Sequence, residues 1–440
     1  MKSSTSQSSR LSDPFVVGLG AATIAVMAIV AACNATSDPR AGSSGSSGGQ
    51  TSGTSGGPTT SGGPSTSGGL DAAPPVGPIE CGPAPGAAAP FTKQALLGAA
   101  AKCASWHACN FTNAATTLRT SFRDYAAAPS DTSRAAAQVA WRSAMNEQSK
   151  MELFQFGPVA SRTIDKYHGR GLRSFVHPWP DLNRCQVETQ VVTKQYLQGW
   201  DVVFPSSRGL FAVEYALFYQ GADTVCFPNS TAAQTWATQT PAQLTQAKNE
   251  YATAVVDNLV ALALELRNIW SPTGESFETK LLAFDGYGSE QETLNVVAWS
   301  LLYPEQEIKD LKLGSLAGFQ PAPNNPETPF AGVETDNMRS NLRGFRDLFQ
   351  GCSADGTGVG FDDWLIAAGQ QQLAQDILGL LAQAQAAADA FPPFKQATPQ
   401  QFIDMYDAVK PLSNLLKTSF MGSASPLNLK LPATASSDTD

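Results

Sequence analysis

Between residues 240 and 270, apolar side chains fall at Leu244, Ala247, Tyr251, Val255, Leu259, Leu262, Leu266 and Ile269, each three or four positions from the last. That spacing keeps one face of a helix apolar, and predicts a single amphipathic helix from Thr240 to Trp270, long enough for a bundle member. The same period predicts helices over Phe91–Trp106, Phe111–Ala127, Thr132–Asp165, Gly209–Tyr219, Glu290–Leu302, Met338–Phe349, Phe361–Ala390 and Thr398–Phe420. Strand-like runs are confined to Val191-Val192 and Val202-Val203-Phe204, too brief to build a sheet. The expected fold class is all-α. His177-Pro178-Trp179-Pro180 cannot be helical, because each proline removes a donor and extends its predecessor, and it reads as a turn with buried aromatics. A second irregular, proline-rich segment runs from Gly314 to Thr328 and is expected to separate two bundles or cross between them.

The N-terminal 80 residues follow no such pattern. Lys2 and Arg10 precede an apolar run from Phe15 to Val30, which ends in Ala31-Ala32-Cys33. A basic start, a short apolar stretch and small residues before a cleavage point define an export signal, and a cysteine at that point resembles a bacterial lipoprotein signal. Residues 1–33 are therefore expected to be a signal peptide that leaves Cys33 lipidated, placing the protein in the cell envelope with a lipid anchor in a membrane. The absence of Asp after Cys33, where Asn34 stands, favours the outer over the inner membrane. Residues 34–80, rich in Ser, Gly, Thr and Pro, cannot bury a core and read as a disordered tether reaching on the order of 35–40 Å. Residues 431–440 read as a disordered tail.

Charge and cysteine usage narrow the partners. Lys and Arg number 29 against 38 Asp and Glu, with no basic run interleaved with aromatics, so a nucleic-acid partner is not expected. Without Cys33, six cysteines remain, an even number that fits up to three disulfides in an exported protein. Cys103 with Cys109 across a helix end, Cys185 with Cys226, and Cys81 with Cys352 are the expected pairs. A metal–thiolate site is the alternative, and the lack of any C-x-x-C pair argues against it.

Hydrolase, zinc-protease, Walker and dinucleotide signatures are absent. Of three histidines, His107 lies near Cys109 but between Trp106 and Phe111, where a packed structural role is expected. His168 and His177 flank a loop with Arg170, Arg173 and Trp179, read as a solvated face with some capacity to meet an anion. The most unusual carboxylate is Glu214, set among Phe, Val and Leu on the helix that Gly209 opens. A charge so placed needs a partner; Arg208, Arg162 or a bound cation is expected to supply it.

The segment Gly209–Phe218, with Gln138-Val139-Ala140-Trp141 and the run Glu152-Leu153-Phe154-Gln155-Phe156-Gly157-Pro158, resembles the imelysin family of bacterial envelope proteins. Gly288-Ser289-Glu290 and Asp310-Leu311-Lys312-Leu313-Gly314 are similar to its second half. The resemblance spans most of residues 91–420. It implies two packed up-and-down helical bundles forming one unit over 81–430, divided near 310–335, with a site between them. It also implies the metallopeptidase motif G-x-H-x-x-E, which places its Gly on Gly209 and its Glu on Glu214 but its His on Phe211. A phenyl ring can neither ligate a metal nor carry a proton, so peptide hydrolysis is expected to be absent.

Three functional readings follow. One is a tethered binding protein in which Glu214, Arg208, Gly209 and Glu152 hold a small-molecule ligand or a divalent or ferric ion, with Glu214 as the metal ligand and a link to iron uptake. A second is a metallopeptidase with a modified site. The third is a structural or interaction lipoprotein in which Glu214 is only a buried ion-pair partner.

Overall fold

Thr240 and Thr398 each begin a helix in the same way. The threonine hydroxyl accepts from the backbone N–H three residues on, a glutamine side chain returns the bond, and a proline occupies the first helical position. A computed structural model of the chain describes residues 77–319, 326–353, 355–432 and 435. Its helices are α1 (Lys93–Ala127), α2 (Asp131–Met151), α3 (Arg173–Val176), α4 (Arg184–Thr193), α5 (Gly209–Phe218), α6 (Thr231–Ala237), α7 (Pro241–Trp270), α8 (Phe277–Leu282), α9 (Glu290–Trp299), α10 (Glu334–Phe349), α11 (Phe361–Ala367), α12 (Gln371–Ala390) and α13 (Pro399–Leu415). A π-helix spans Pro304–Gly314, and no strand occurs among the described residues. The expected signal segment with Cys33, nearly all of the expected 34–80 tether and residues 436–440 of the expected tail lie outside them.

The fold is all-α, as the periodicity predicts, with instructive differences at boundaries. Two expected helices fuse into α1, because residues 107–110 contain no breaker and His107, Ala108 and Phe111 continue its buried face. The helix expected to run from Thr132 to Asp165 stops at Met151. Gly157, at φ +66°, and Pro158 turn the chain, and a Cβ on Gly157 would lie 2.4 Å from Phe277. Asp165 holds that turn: its Oδ2 accepts from the Gly157 N–H and the Tyr287 hydroxyl, both at 2.7 Å. The stretch expected as one helix from Phe361 to Ala390 breaks into α11 and α12 at Gly369, which has φ +75°. Val191 and Val192, the strand-like pair, belong to α4.

Helices α1, α2, α5 and α7 pack as one bundle, with α8 and α9 against α1. Buried alanines, among them Ala104 and Ala108 on α1 and Ala137, Ala140 and Ala144 on α2, leave room for close helix approach. The π-helix, α10, α12 and α13 form the second bundle, and α2 packs against α10 to join the two. The π-helix already lies against α13, so the expected division near 310–335 falls inside the second bundle.

Disulfides join Cys81 to Cys109, Cys103 to Cys352 and Cys185 to Cys226. Only the last pair matches the expectation. Cys103 and Cys109 cannot pair because α1 runs unbroken through both: six residues carry the chain about 9 Å along the axis and about one and two-thirds turns around it. Cys109 instead takes Cys81, and Cys103 reaches Cys352 just past α10, stapling the first bundle to the second. At the chain's two ends, the Ile79 N–H donates to Asn113 at 2.9 Å, so the last residues of the expected tether lie against α1, while Ala435 in the expected tail is buried.

Candidate functional site

Gly209 starts α5 at φ +66°, and an added Cβ would sit 2.2 Å from the Val176 carbonyl. The helix start therefore packs directly onto the α3 backbone, which only glycine permits. The Gln138–Trp141 segment of α2 holds the two ends of α5. Trp141 Nε1 donates to the Leu210 carbonyl at 2.9 Å, and Gln138 Nε2 to that of Leu217 at 3.0 Å.

Glu214 is wholly buried on α5. Its Oε1 accepts the backbone N–H groups of Phe330 at 2.8 Å and Ala331 at 2.7 Å, whereas Oε2 has no hydrogen-bond partner among the described residues. Burial pushes the carboxyl up to about 8, with Glu334 adding to the shift; the two N–H groups and Lys395 oppose it. At neutral pH the group is mostly protonated, an uncharged acid that anchors the segment before α10. Neither of the two expected arginines meets it. Arg208 donates from Nη1 to the Trp200 carbonyl at 3.3 Å and stacks over Phe175 at 4.2 Å. Arg162 is exposed. Phe211, at the motif's His position, is buried with its ring 6.3 Å from that of Phe330. Both motif side chains thus bind the same loop.

Glu152, just past the end of α2, centres a second polar cluster. Its Oε1 accepts from Arg173 at 3.1 Å, and its Oε2 from the Tyr303 hydroxyl at 2.6 Å and Asn341 Nδ2 at 3.3 Å. Burial pushes this carboxyl up, but Arg173, Lys312 and the Tyr303 hydroxyl outweigh it and hold it at about 2. Arg173 also faces Glu307 at 3.6 Å. Lys312 of the π-helix pairs with Glu327 at 2.9 Å and donates to Asn341 Oδ1 at 2.7 Å. Burial raises Glu327 to about 7 against the pull of Lys312. His177 is buried in the same cluster, and a contact with the Glu327 backbone falls short of hydrogen-bond geometry. Burial, with Arg173 and Lys312, drives its ring down to about 4, so it is neutral.

Glu152 and Glu214 do not touch. They are linked through residues 327–334, where Glu327 faces Lys312 while the Phe330 and Ala331 N–H groups hold Glu214. Arg173 and His177, expected on a solvated loop face, are interior; the exposed Arg170, which pairs with the half-buried Glu265 and Glu275, is the part of that loop that faces solvent. Tyr303, Glu307, Lys312, Glu327 and Asn341 were not expected at the site. Lys309 and Lys312, buried among Ile308 and Leu313, bear the same signal as Glu214, a charge inside an apolar pattern.

The residues at the motif do not fit a metal ion. Glu214 has one oxygen committed to two backbone N–H groups, and Phe211 offers no donor atom. The one cluster of three metal-capable side chains among the described residues is Cys103, His107 and Cys352, and its two sulfurs form a disulfide. His107 is buried, with Nε2 3.1 Å from Asp347 Oδ2. The cavity that adjoins Glu152's partners, lined by Gln155, Tyr303 and Glu307 among others, measures about 30 Å³, room for little more than a water.

The imelysin family model matches residues 107–415. The chain belongs to the imelysin family. Two solved structures share the imelysin fold with it. One is an imelysin-like protein from Psychrobacter arcticum, 13% identical, covering 76% of this chain and 96% of its own at a TM-score of 0.54. The other is a "putative iron-regulated protein A precursor" from Parabacteroides distasonis, 15% identical, covering 74% and 95% at 0.55. No curated protein sequence matches the chain. In this imelysin the motif's Gly and Glu are present and serve packing, and the position between them is aromatic.

Proposed function

We propose that this imelysin is a lipid-anchored, non-catalytic binding protein of the bacterial envelope, attached through Cys33, that takes part in iron acquisition by engaging a complexed rather than a bare ion. The observation that carries the reading is the state of the motif. Phe211 replaces the histidine, and Glu214 is an uncharged acid whose Oε1 is committed to two backbone N–H groups. Hydrolysis of a peptide needs an activated water and a group to take its proton, and neither is supplied there. The name of the Parabacteroides relative supports the link to iron, and three disulfides support an oxidising compartment. No helix among the described residues is long and apolar enough to cross a membrane; the proposed lipid anchor rests on the Ala31-Ala32-Cys33 end of the apolar run.

The test is a melting curve of the full chain with and without Fe³⁺, Zn²⁺ and Ca²⁺, beside a peptide-cleavage assay under the same conditions. The expected result is no cleavage and no metal-induced shift that Glu214→Gln removes. Zinc-dependent cleavage abolished by Glu214→Gln would overturn the reading in favour of a peptidase. For the anchor, lipid labelling is expected on the wild type and not on Cys33→Ser.

A further inference from the structure

Two facing helices carry cations in register. On α2, Arg142 and Lys150 stand eight positions apart with Asn146 between them, and on α10, Arg339, Arg343 and Arg346 follow at spacings of four and three. Each set lies along one side of its helix. Both sets line one groove, made of cavities of about 380 and 610 Å³ that share Arg339, Arg343 and Asp389. Arg343 lies two positions from Asn341, which faces Glu152, so the groove uses the opposite side of α10 from the buried cluster.

The groove's own carboxylates are mostly engaged. Asp336 and Asp389 pair with Arg339, and Asp347 lies beside His107. Lys150 pairs with Glu147 at 2.7 Å. Arg142 is held over the Phe218 ring at 5.0 Å, and Arg346 donates to the Gln350 side chain. Arg343, exposed at the centre, makes no hydrogen bond or ion pair among the described residues. The five cations of the groove outnumber its three lining carboxylates, Asp336, Asp347 and Asp389, so the unpaired guanidinium of Arg343 is repelled by its neighbours unless something anionic joins it. Their planar forks match carboxylate and phosphate oxygens two at a time.

We infer that this groove binds a small ligand bearing two or more oxyanion groups, carboxylate or phosphate, with Arg343 as the central contact and Arg142 and Arg346 beside it. The inference supplies a ligand class for the binding role proposed above but rests on different residues. Loss of binding in the Arg343 variant therefore reports on the groove alone, and the cleavage assay reports on the motif alone.

The experiment is isothermal titration calorimetry of the full chain at low ionic strength, with citrate and with pyrophosphate as probes. The expected result is single-site binding of at least one probe, weakened tenfold or more by Arg343→Ala and by Arg142→Ala at unchanged melting temperature, and by added salt. Binding of citrate alone identifies a polycarboxylate, and binding of pyrophosphate alone a phosphate ligand. No binding of either probe overturns the inference. So does equal weakening by Arg170→Ala, a surface control outside the groove, or undiminished binding by Arg343→Ala.

Discussion

A carboxyl group keeps its proton when burial strips away more solvation than its neighbours return, and Glu214 is in that position with two N–H donors and a second oxygen that has no hydrogen-bond partner among the described residues. Its folded pKa of about 8 lies above the ordinary 4.5, so between those values the folded chain holds a proton that the unfolded chain has released. Stability therefore falls as pH rises from 4.5 to 8. Glu327 and Asp362, each raised to about 7 by burial before other causes, act in the same direction. Glu214→Gln preserves the accepting oxygen and removes the ionisation. It should leave stability at pH 5 within about 1 kcal/mol of wild type and reduce the fall between pH 5 and 8 by roughly 2–4 kcal/mol, read by urea denaturation across pH. A large loss at pH 5 would mean that Glu214 is an ion-pair partner after all. Glu152 behaves oppositely. Held at about 2, it contributes stability above pH 4.5 that is lost as pH falls through 2. Glu152→Gln leaves Arg173 and Lys312 facing a neutral group in the interior, and should cost about 3–5 kcal/mol at pH 7. A loss below 1 kcal/mol in the same urea series would show that Glu307 and Glu327 suffice.

Between elements, the main devices are staples. The Cys103–Cys352 bond closes a separation of 249 residues and fastens α1 to the end of α10, so its loss frees the unfolded chain more than loss of the bond spanning 41 residues. The double change Cys103→Ala with Cys352→Ala should lower stability by about 3–5 kcal/mol, measured as a drop in melting temperature without loss of helical signal. Unchanged melting would show that the α2–α10 packing alone holds the bundles together. The segment 327–334 is a second staple, because Glu214 of the first bundle grips its backbone while Glu327 meets Lys312 of the second. That role gives Glu214 a structural task of its own.

For the whole molecule, the long helices were legible because 3.6-residue periodicity is local: α7 begins and ends within one residue of the expected Thr240–Trp270. Cap chemistry and glycine mark several boundaries, but nothing in the local pattern shows that α1 continues through His107 and Cys109, whose polar side chains extend its buried face. Short elements such as α3, α4 and the π-helix were missed, since four to eleven residues provide too little pattern and tertiary packing sets their form. The imelysin resemblance and the unusual setting of Glu214 were likewise written in the chain, as were the six cysteines that follow Cys33. What the sequence by itself determined is therefore the all-α class, the helix periodicity, the family and the phenylalanine two residues after Gly209, all properties of neighbouring residues. Only the tertiary structure decided which cysteines pair, that Glu214 meets backbone rather than an arginine, that Glu152 gathers Arg173, Tyr303 and Asn341, and that the arginines of α2 and α10 face one groove. Those outcomes depend on distances between residues far apart in the chain, which only the packing of one helix on another establishes.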